Sequence, residues 1–215
     1  MSKFVDAVSK KVGVRVYVGY GWCKFDQEDK KNLRKPEVLA DGFWQTLRKQ
    51  FERKLIAVPN YPEKIPISCS RLRGTHGREI WSTVMKKISK ADVLIFDVAA
   101  AIKPEHLKNA CEGDDLTDKI KSFNENVMVE IGVALGMEKR VLLLCPQSLF
   151  DKIPSDLRGY LWSVYTLEES KNGLVRKFAD NPGLTSAYSA MLRDAALEKL
   201  VSLKITTEEE SDNED

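Results

Sequence analysis

Residues 78–97 read REIWSTVMKKISKADVLIFD, and this stretch decides the fold class. Its first part carries apolar side chains at helical spacing, namely Ile80, Trp81, Val84, Met85 and Ile88. Ala91 and Asp92 then turn the chain into Val93–Phe96, a continuous apolar run typical of a strand that is buried on both faces. The stretch therefore predicts a helix followed by a central strand of a parallel sheet.

Strands and helices alternate on both sides of this unit. The patterns predict strands near 14–18, 65–69, 141–145 and 163–166, and helices near 41–54, 126–138 and 186–203. This order predicts a three-layer, flavodoxin-like α/β fold, with a mostly parallel sheet and helices on both faces. We expect one α/β domain over 1–165, a C-terminal helical extension over 166–204 and a disordered acidic tail over 205–215.

Composition excludes several classes of function. A length of 215 residues suits one domain, and a net charge of +2 does not favour direct DNA binding. Four separated cysteines and two histidines do not support a structural zinc site. The first residues lack the apolar core of a signal peptide, and no apolar run is long enough to span a bilayer. We therefore expect a cytoplasmic protein with reduced cysteines and no membrane partner.

One charged residue stands out within an apolar helical segment. Glu130 is the single charge of residues 127–135, which read VMVEIGVAL. A buried carboxylate without a partner is unfavourable, so Glu130 must be paired, protonated or facing a cavity. Two structural alternatives stay open, an ion pair with Arg71 or Arg73 and the favourable field of a helix N-terminus.

The predicted topology brings other residues near Glu130. In open parallel sheets, ligands bind beyond the carboxyl ends of the strands. Residues 19–23, 97–101 and 146–147 lie at that edge, and the helix that carries Glu130 begins there. We therefore expect Glu130, Asp97, Tyr20 and Trp22 to surround one crevice.

Three segments carry a resemblance to a known family. Residues 126–136, NVMVEIGVALG, look like the signature of TIR-like domains and of the related nucleoside 2-deoxyribosyltransferase-like proteins, with an Asn, an apolar triplet, Glu and then Gly. Residues 88–97 resemble their helix-to-strand segment that ends in an acidic residue. Residues 153–159, IPSDLRG, are similar to a segment of bacterial TIR-like nucleotide-binding proteins. The resemblance covers about 14–165.

The resemblance implies a reaction and a role for Glu130. In these families the glutamate stabilises or attacks the anomeric carbon as an N-glycosidic bond breaks. It implies a nucleotide N-glycosidase, most simply one that hydrolyses NAD, as substrate rather than cofactor, to nicotinamide and ADP-ribose or a cyclic product. It also implies a bacterial antiviral setting and a homo-oligomer or an activating partner protein. The alternatives are base exchange on deoxynucleosides and a catalytically silent module that senses a nucleotide or binds a partner.

Further residues receive substrate-binding roles, each beside a structural alternative. Tyr20 and Trp22 either stack on a base or only pack in their loop. Arg71 and Arg73 either hold a pyrophosphate or are solvated charges. Asp97 either binds a ribose hydroxyl or caps the turn that follows it. Asn126 opens the family motif.

The chain departs from the family in two places. Residues 19–22 read GYGW where a serine is common, and residues 101–122 form a charged insertion that acts as a lid or a docking surface.

Overall fold

The computed structural model describes residues 13–20, 55–61, 64–71, 79–100, 111, 113–170, 173–178 and 182–211. Its strands are β1 (Val14–Tyr20), β2 (Leu55–Ile56), β3 (Ile65–Arg71), β4 (Val93–Asp97), β5 (Arg140–Pro146), β6 (Leu161–Ser170) and β7 (Gly173–Phe178). Its α-helices are α1 (Glu79–Lys90), α2 (Glu125–Gly136) and α3 (Pro182–Ser211). The helix predicted over 41–54 lies outside the described residues.

The seven strands form one sheet in the order β2-β3-β1-β4-β5-β6-β7. The five central strands pair in parallel, and the edge strands β2 and β7 are antiparallel to their neighbours. The chain therefore forms the predicted three-layer α/β fold, with a mostly parallel sheet, helices on both faces and a C-terminal helix. Strands β4 and β5 lie in the middle of the sheet, where both of their faces are covered. This position explains why their sequences are continuous apolar runs.

The edge of the sheet and the C-terminal helix differ from the prediction. Strand β7 was not expected, and β6 runs across the predicted domain boundary at residue 165. Helix α3 continues to Ser211, well into the segment predicted to be a disordered tail. The acidic run 208–210 is compatible with helix because glutamate has a high intrinsic helix propensity.

Helix α2 is less enclosed than its composition suggests. The sequence predicts that it is buried on all sides, but Val129 is 53% exposed and Gly132 is also exposed. Val127, Glu130, Ile131 and Ala134 form its buried face. Glu130 thus belongs to the face that packs inward, which the all-apolar sequence could not distinguish from the outer face.

The second half of the charged insertion packs onto the sheet. The backbone N–H of Leu116 donates to the Leu167 carbonyl at 2.7 Å, and the N–H of Leu167 donates to Thr117 Oγ1 at 2.7 Å. The side chains of Leu116 and Ile120 are buried in the core. Residues 113–122 are therefore part of the folded body, whereas 101–110 lie outside the described residues, so a lid or docking role for the insertion stays a prediction.

Candidate active site around Glu130

A cap and a short backbone pairing set the start of α2. Asn124 is the N-cap, and its side-chain oxygen accepts a hydrogen bond from the N–H of Val127 at 3.1 Å. Its own N–H donates to the Val98 carbonyl at 2.8 Å, just after the end of β4. These bonds tie the first turn of α2 to the carboxyl end of β4, and Glu130 follows one turn later on the inner face.

The carboxyl group of Glu130 meets a tyrosine from β1. Glu130 is only 9% exposed, and Tyr17 is 1% exposed. The Tyr17 hydroxyl donates to Glu130 Oε2 at 3.5 Å, at the long end of the hydrogen-bond range. The Tyr17 ring is itself held edge-on against Phe96, with ring centroids 6.2 Å apart. Among the described residues, no lysine or arginine forms an ion pair with Glu130.

Burial governs the ionisation of this pair. Burial raises the pKa of Glu130 from its ordinary 4.5 to about 7, and the hydrogen bond from Tyr17 lowers the pKa and so limits the rise. Burial, followed by the nearby Glu130 charge, raises the pKa of the Tyr17 hydroxyl, which therefore stays neutral and protonated. The site thus holds a carboxyl group that gains and loses its proton near neutral pH, beside a fixed hydroxyl donor.

Gly19 leaves the space that the carboxyl group occupies. It lies on β1 directly opposite Phe96 of β4. A Cβ atom at this position would lie 2.5 Å from Phe96 Cδ1 and 2.7 Å from Glu130 Oε2. Both distances are shorter than a side chain tolerates, so a residue without a side chain is required here for the carboxyl group to approach the strand. We define the candidate site as Glu130, Tyr17 and Gly19.

The other predicted site residues are distributed around this centre. Tyr20 is half-buried, and its hydroxyl accepts a hydrogen bond from Arg71 Nη1 at 2.7 Å, which joins the ends of β1 and β3. Asn126 is exposed in the first turn of α2. Trp22 and Arg73 lie outside the described residues. Substrate binding by these four residues and by Arg71 stays a prediction.

Asp97 is engaged in an interior network. Its carboxylate is fully buried and forms an ion pair with Arg176 of β7, with Arg176 Nε 2.7 Å from Oδ2. The Tyr165 hydroxyl donates to both carboxylate oxygens at 3.0 and 3.1 Å, and the N–H of Ala99 donates to Oδ1 at 3.0 Å. The geometry matches the predicted turn-capping role of Asp97. Its predicted contact with a ribose hydroxyl finds no support in this arrangement and stays a prediction.

Sequence reasoning missed Tyr17, Gly19 and Arg176. Residues two apart on a strand share a face, so the sequence shows that Tyr17 and Gly19 lie on the same side of β1, but it does not show that the helix carrying Glu130 covers that side. No comparable signal marks Arg176, which follows the last predicted strand. Its partner is decided only when β7 folds back against β6.

The described part of the chain holds neither a metal-binding cluster nor a membrane-spanning helix. Among the described residues, no group of three or more His, Cys, Asp or Glu side chains is arranged to hold a metal ion. Within the same residues, no helix combines the length and apolar character needed to cross a bilayer.

Comparison with known proteins finds a likeness to solved structures but to no family model. No protein-family model matches the chain, and no curated protein matches it. The resemblance to TIR-like domains therefore gains no support from a family model. Among solved structures, the fold is similar to the 2-desoxiribosyltransferase from Leishmania mexicana, with 12% sequence identity and a TM-score of 0.37. The match covers 61% of this chain and 64% of that one, so the chain spans less than two thirds of this relative.

Proposed function

We propose that this protein breaks the N-glycosidic bond of a nucleoside and transfers the sugar to a second base, with Glu130 as the nucleophile. One observation carries the proposal. The Glu130 carboxyl group is almost fully buried, has no cationic partner among the described residues and accepts a single hydrogen bond from neutral Tyr17. A structural carboxylate at such a depth is normally paired with a cation, as Asp97 is with Arg176. Perturbed, unpaired carboxyl groups of this kind are typical of functional sites.

The proposed reaction has two steps. The ionised Glu130 attacks the anomeric carbon, and the electron pair of the breaking C–N bond leaves with the first base. The carboxylate stabilises the positive charge that develops on the sugar. This attraction is strong because few other groups solvate the buried carboxylate. The departing base takes up a proton from water to become neutral. A ring nitrogen of the second base then attacks the same carbon and gives up its N–H proton to water, and the ester bond to Glu130 breaks to restore the carboxylate.

Burial favours a base over water as the acceptor. Glu130 packs against β1 on a face that also contains Val127 and Ile131, both nearly inaccessible. Exclusion of water from a site protects a reactive intermediate against hydrolysis. We further propose that the sugar donor is a 2′-deoxynucleoside. Without the 2′-hydroxyl the glycosidic bond breaks more easily, and this suits a site that offers one carboxyl group and one phenol.

Hydrolysis of NAD stays a prediction that shares the first step. Nicotinamide leaves as a neutral ring, so that reaction also needs little help from a general acid. It differs in the acceptor, which is water, and in the products. Dependence on an oligomer or on an activating protein, and a role in antiviral defence, also stay predictions.

The test is a product analysis with three donors. We expect purified protein, incubated with a 2′-deoxynucleoside and labelled adenine, to form labelled 2′-deoxyadenosine. The same protein is incubated with the corresponding ribonucleoside and with NAD, and released base, nicotinamide and ADP-ribose are measured by chromatography. Nicotinamide release without base exchange would replace our proposal with the NAD reaction. Binding of all three without turnover, over a range of protein concentrations, would favour the silent binding module.

Tyr17→Phe is expected to move the pH dependence of base exchange. The attacking form of Glu130 is ionised, so activity should fall as the pH drops through about 7. Loss of the Tyr17 hydroxyl removes the hydrogen bond that lowers the pKa of Glu130, so the midpoint of the fall should move to higher pH by roughly half to one unit. The measurement is a pH profile of kcat/KM. Tyr160→Phe at an exposed position is the matched control and should leave the midpoint unchanged, and an unchanged midpoint in Tyr17→Phe would contradict the role of this pair.

A further inference from the structure

The buried Tyr17 ring contacts a lysine as well as the candidate nucleophile. Phe96 of β4 meets the ring edge-on, with 6.2 Å between the ring centroids. The Lys87 ammonium of α1 lies over the ring, 6.0 Å from its centroid, at the outer limit of a cation–π contact. The Tyr17 hydroxyl reaches Glu130 Oε2 at 3.5 Å. One aromatic ring therefore connects a positive charge on α1 with the carboxyl group on α2.

Lys87 differs from the other lysines at the end of α1. It is half-buried, whereas Lys86 and Lys90 are exposed. Its ammonium donates a hydrogen bond to the backbone carbonyl of Arg71, at the end of β3. Ordering a long, flexible side chain costs conformational entropy, so such a side chain stays in one place only where contacts like these hold it. The hydrogen bond to β3 thus fixes the ammonium against the Tyr17 ring.

Most charged groups of the elements around α2 are engaged elsewhere. Helix α2 packs against β1, β4, β5 and α1. On β4, Asp97 is paired with Arg176, and on β5, Arg140 forms an ion pair with α3. Burial raises the pKa of Cys145 on β5 to about 12, so this thiol is neutral. Glu125, in the first turn of α2 itself, is exposed to solvent.

The polar groups of β1 also have other partners. Arg15 forms an ion pair with Asp92, with 3.8 Å between Nε and Oδ2. The Tyr20 hydroxyl accepts a hydrogen bond from Arg71 Nη1 at 2.7 Å. Lys87 is therefore the cation that acts on the ring whose hydroxyl contacts the nucleophile.

We propose that Lys87 is a positioning residue for Glu130 and acts through the Tyr17 ring. Its ammonium holds the ring and draws electron density towards itself, so the Tyr17 hydroxyl becomes a stronger hydrogen-bond donor. A stronger donor favours the ionised carboxylate of Glu130, which is the attacking form in the proposed reaction. The catalytic consequence rests on the proposed function, whereas the effect on the proton affinity of Glu130 does not depend on turnover.

Carbon-13 NMR of the Glu130 side-chain carboxyl group measures this effect directly, and the Glu130→Gln protein assigns the resonance. The midpoint of the wild-type titration should lie near pH 7. Lys87→Met keeps an unbranched side chain but removes the charge, so we expect the midpoint to rise by roughly half a pH unit or more. Lys87→Arg retains the charge and should restore most of the wild-type value.

Two further variants separate an effect through the ring from a general loss of positive charge. Lys86→Met removes the neighbouring charge at an exposed position and should leave the midpoint unchanged. In a Tyr17→Phe background, which lacks the hydroxyl, Lys87→Met should move the midpoint by a much smaller amount. Circular dichroism checks that each variant is folded, and Lys87→Gln replaces Lys87→Met if the latter does not fold.

The pH profile of kcat/KM for base exchange should shift together with the NMR midpoint. An unchanged midpoint in folded Lys87→Met would overturn the proposal, and so would equal shifts in Lys87→Met and Lys86→Met. An equal shift with and without the Tyr17 hydroxyl would show that the lysine acts on Glu130 directly through space, which would also overturn it. A protein that titrates as expected but exchanges no bases would reject the proposed function and leave this inference intact.

Discussion

Glu130→Gln is expected to lower base exchange by about 10³-fold or more, because an amide cannot form the sugar ester and carries no charge for the developing cation. Glutamine has nearly the same shape as glutamate, so it fits the space that Gly19 leaves beside β1. The measurement is the rate of labelled 2′-deoxyadenosine formation. Base release is followed in parallel to detect any residual first step.

The same substitution should stabilise the folded protein at pH 8. The pKa of Glu130 is about 7 in the folded state and 4.5 ordinarily, so the folded state binds its proton more tightly. Its contribution to stability is therefore present below about pH 4.5 and is lost as the pH rises through 7, a change of about 3 kcal/mol. Glutamine has no proton to lose, so the free energy of unfolding of the variant should exceed that of the wild type at pH 8 by up to this amount and by much less at pH 5.

The control for both effects is Glu138→Gln, just beyond the far end of α2. Glu138 is exposed, so the substitution should change neither the rate of exchange nor the free energy of unfolding beyond about 0.5 kcal/mol. Equal exchange rates in wild type and Glu130→Gln would remove Glu130 from the reaction. If the difference in free energy of unfolding between Glu130→Gln and the wild type is the same at pH 5 and at pH 8, the carboxyl group is better solvated than its burial indicates.

Asp97→Asn is expected to destabilise the protein by about 3–5 kcal/mol, because it leaves the Arg176 charge buried without its counter-ion. Both side chains of this pair are fully inaccessible. Urea unfolding with linear extrapolation measures the loss. Asp97→Leu combined with Arg176→Met removes both charges, so it should recover a large part of the stability that the single substitution removes.

A surface ion pair gives the matched control for this experiment. Glu198→Gln breaks the ion pair between Glu198 and Arg140, in which the Glu198 side chain is 65% exposed. This substitution should lower the free energy of unfolding by less than about 1 kcal/mol. Similar losses for Asp97→Asn and Glu198→Gln would contradict the buried network. If Asp97 instead binds the sugar, the KM for the nucleoside should rise while stability changes little, which separates the two roles predicted for this residue.

The candidate site was predictable only in part. Glu130 could be singled out because a lone charge in an apolar helix is a local contradiction that the sequence displays. Its partner Tyr17 lies 113 residues away along the chain, and Arg176 lies 79 residues from Asp97. Nothing in the local pattern around Tyr17 or Arg176 distinguishes a partner of an acid from a residue that only packs.

Taken by itself, the sequence determined the α/β class, the central strands and the helix that carries Glu130, because apolar periods of 2 and 3.6 residues are local properties of the chain. Only the tertiary structure decided that Glu130 meets Tyr17 beside Gly19 and that β7 supplies the buried partner of Asp97. The physical reason is that these contacts depend on strand order and register. Both are settled by the free energy of packing the whole sheet, since a shift of one residue would turn every side chain of a strand to the opposite face.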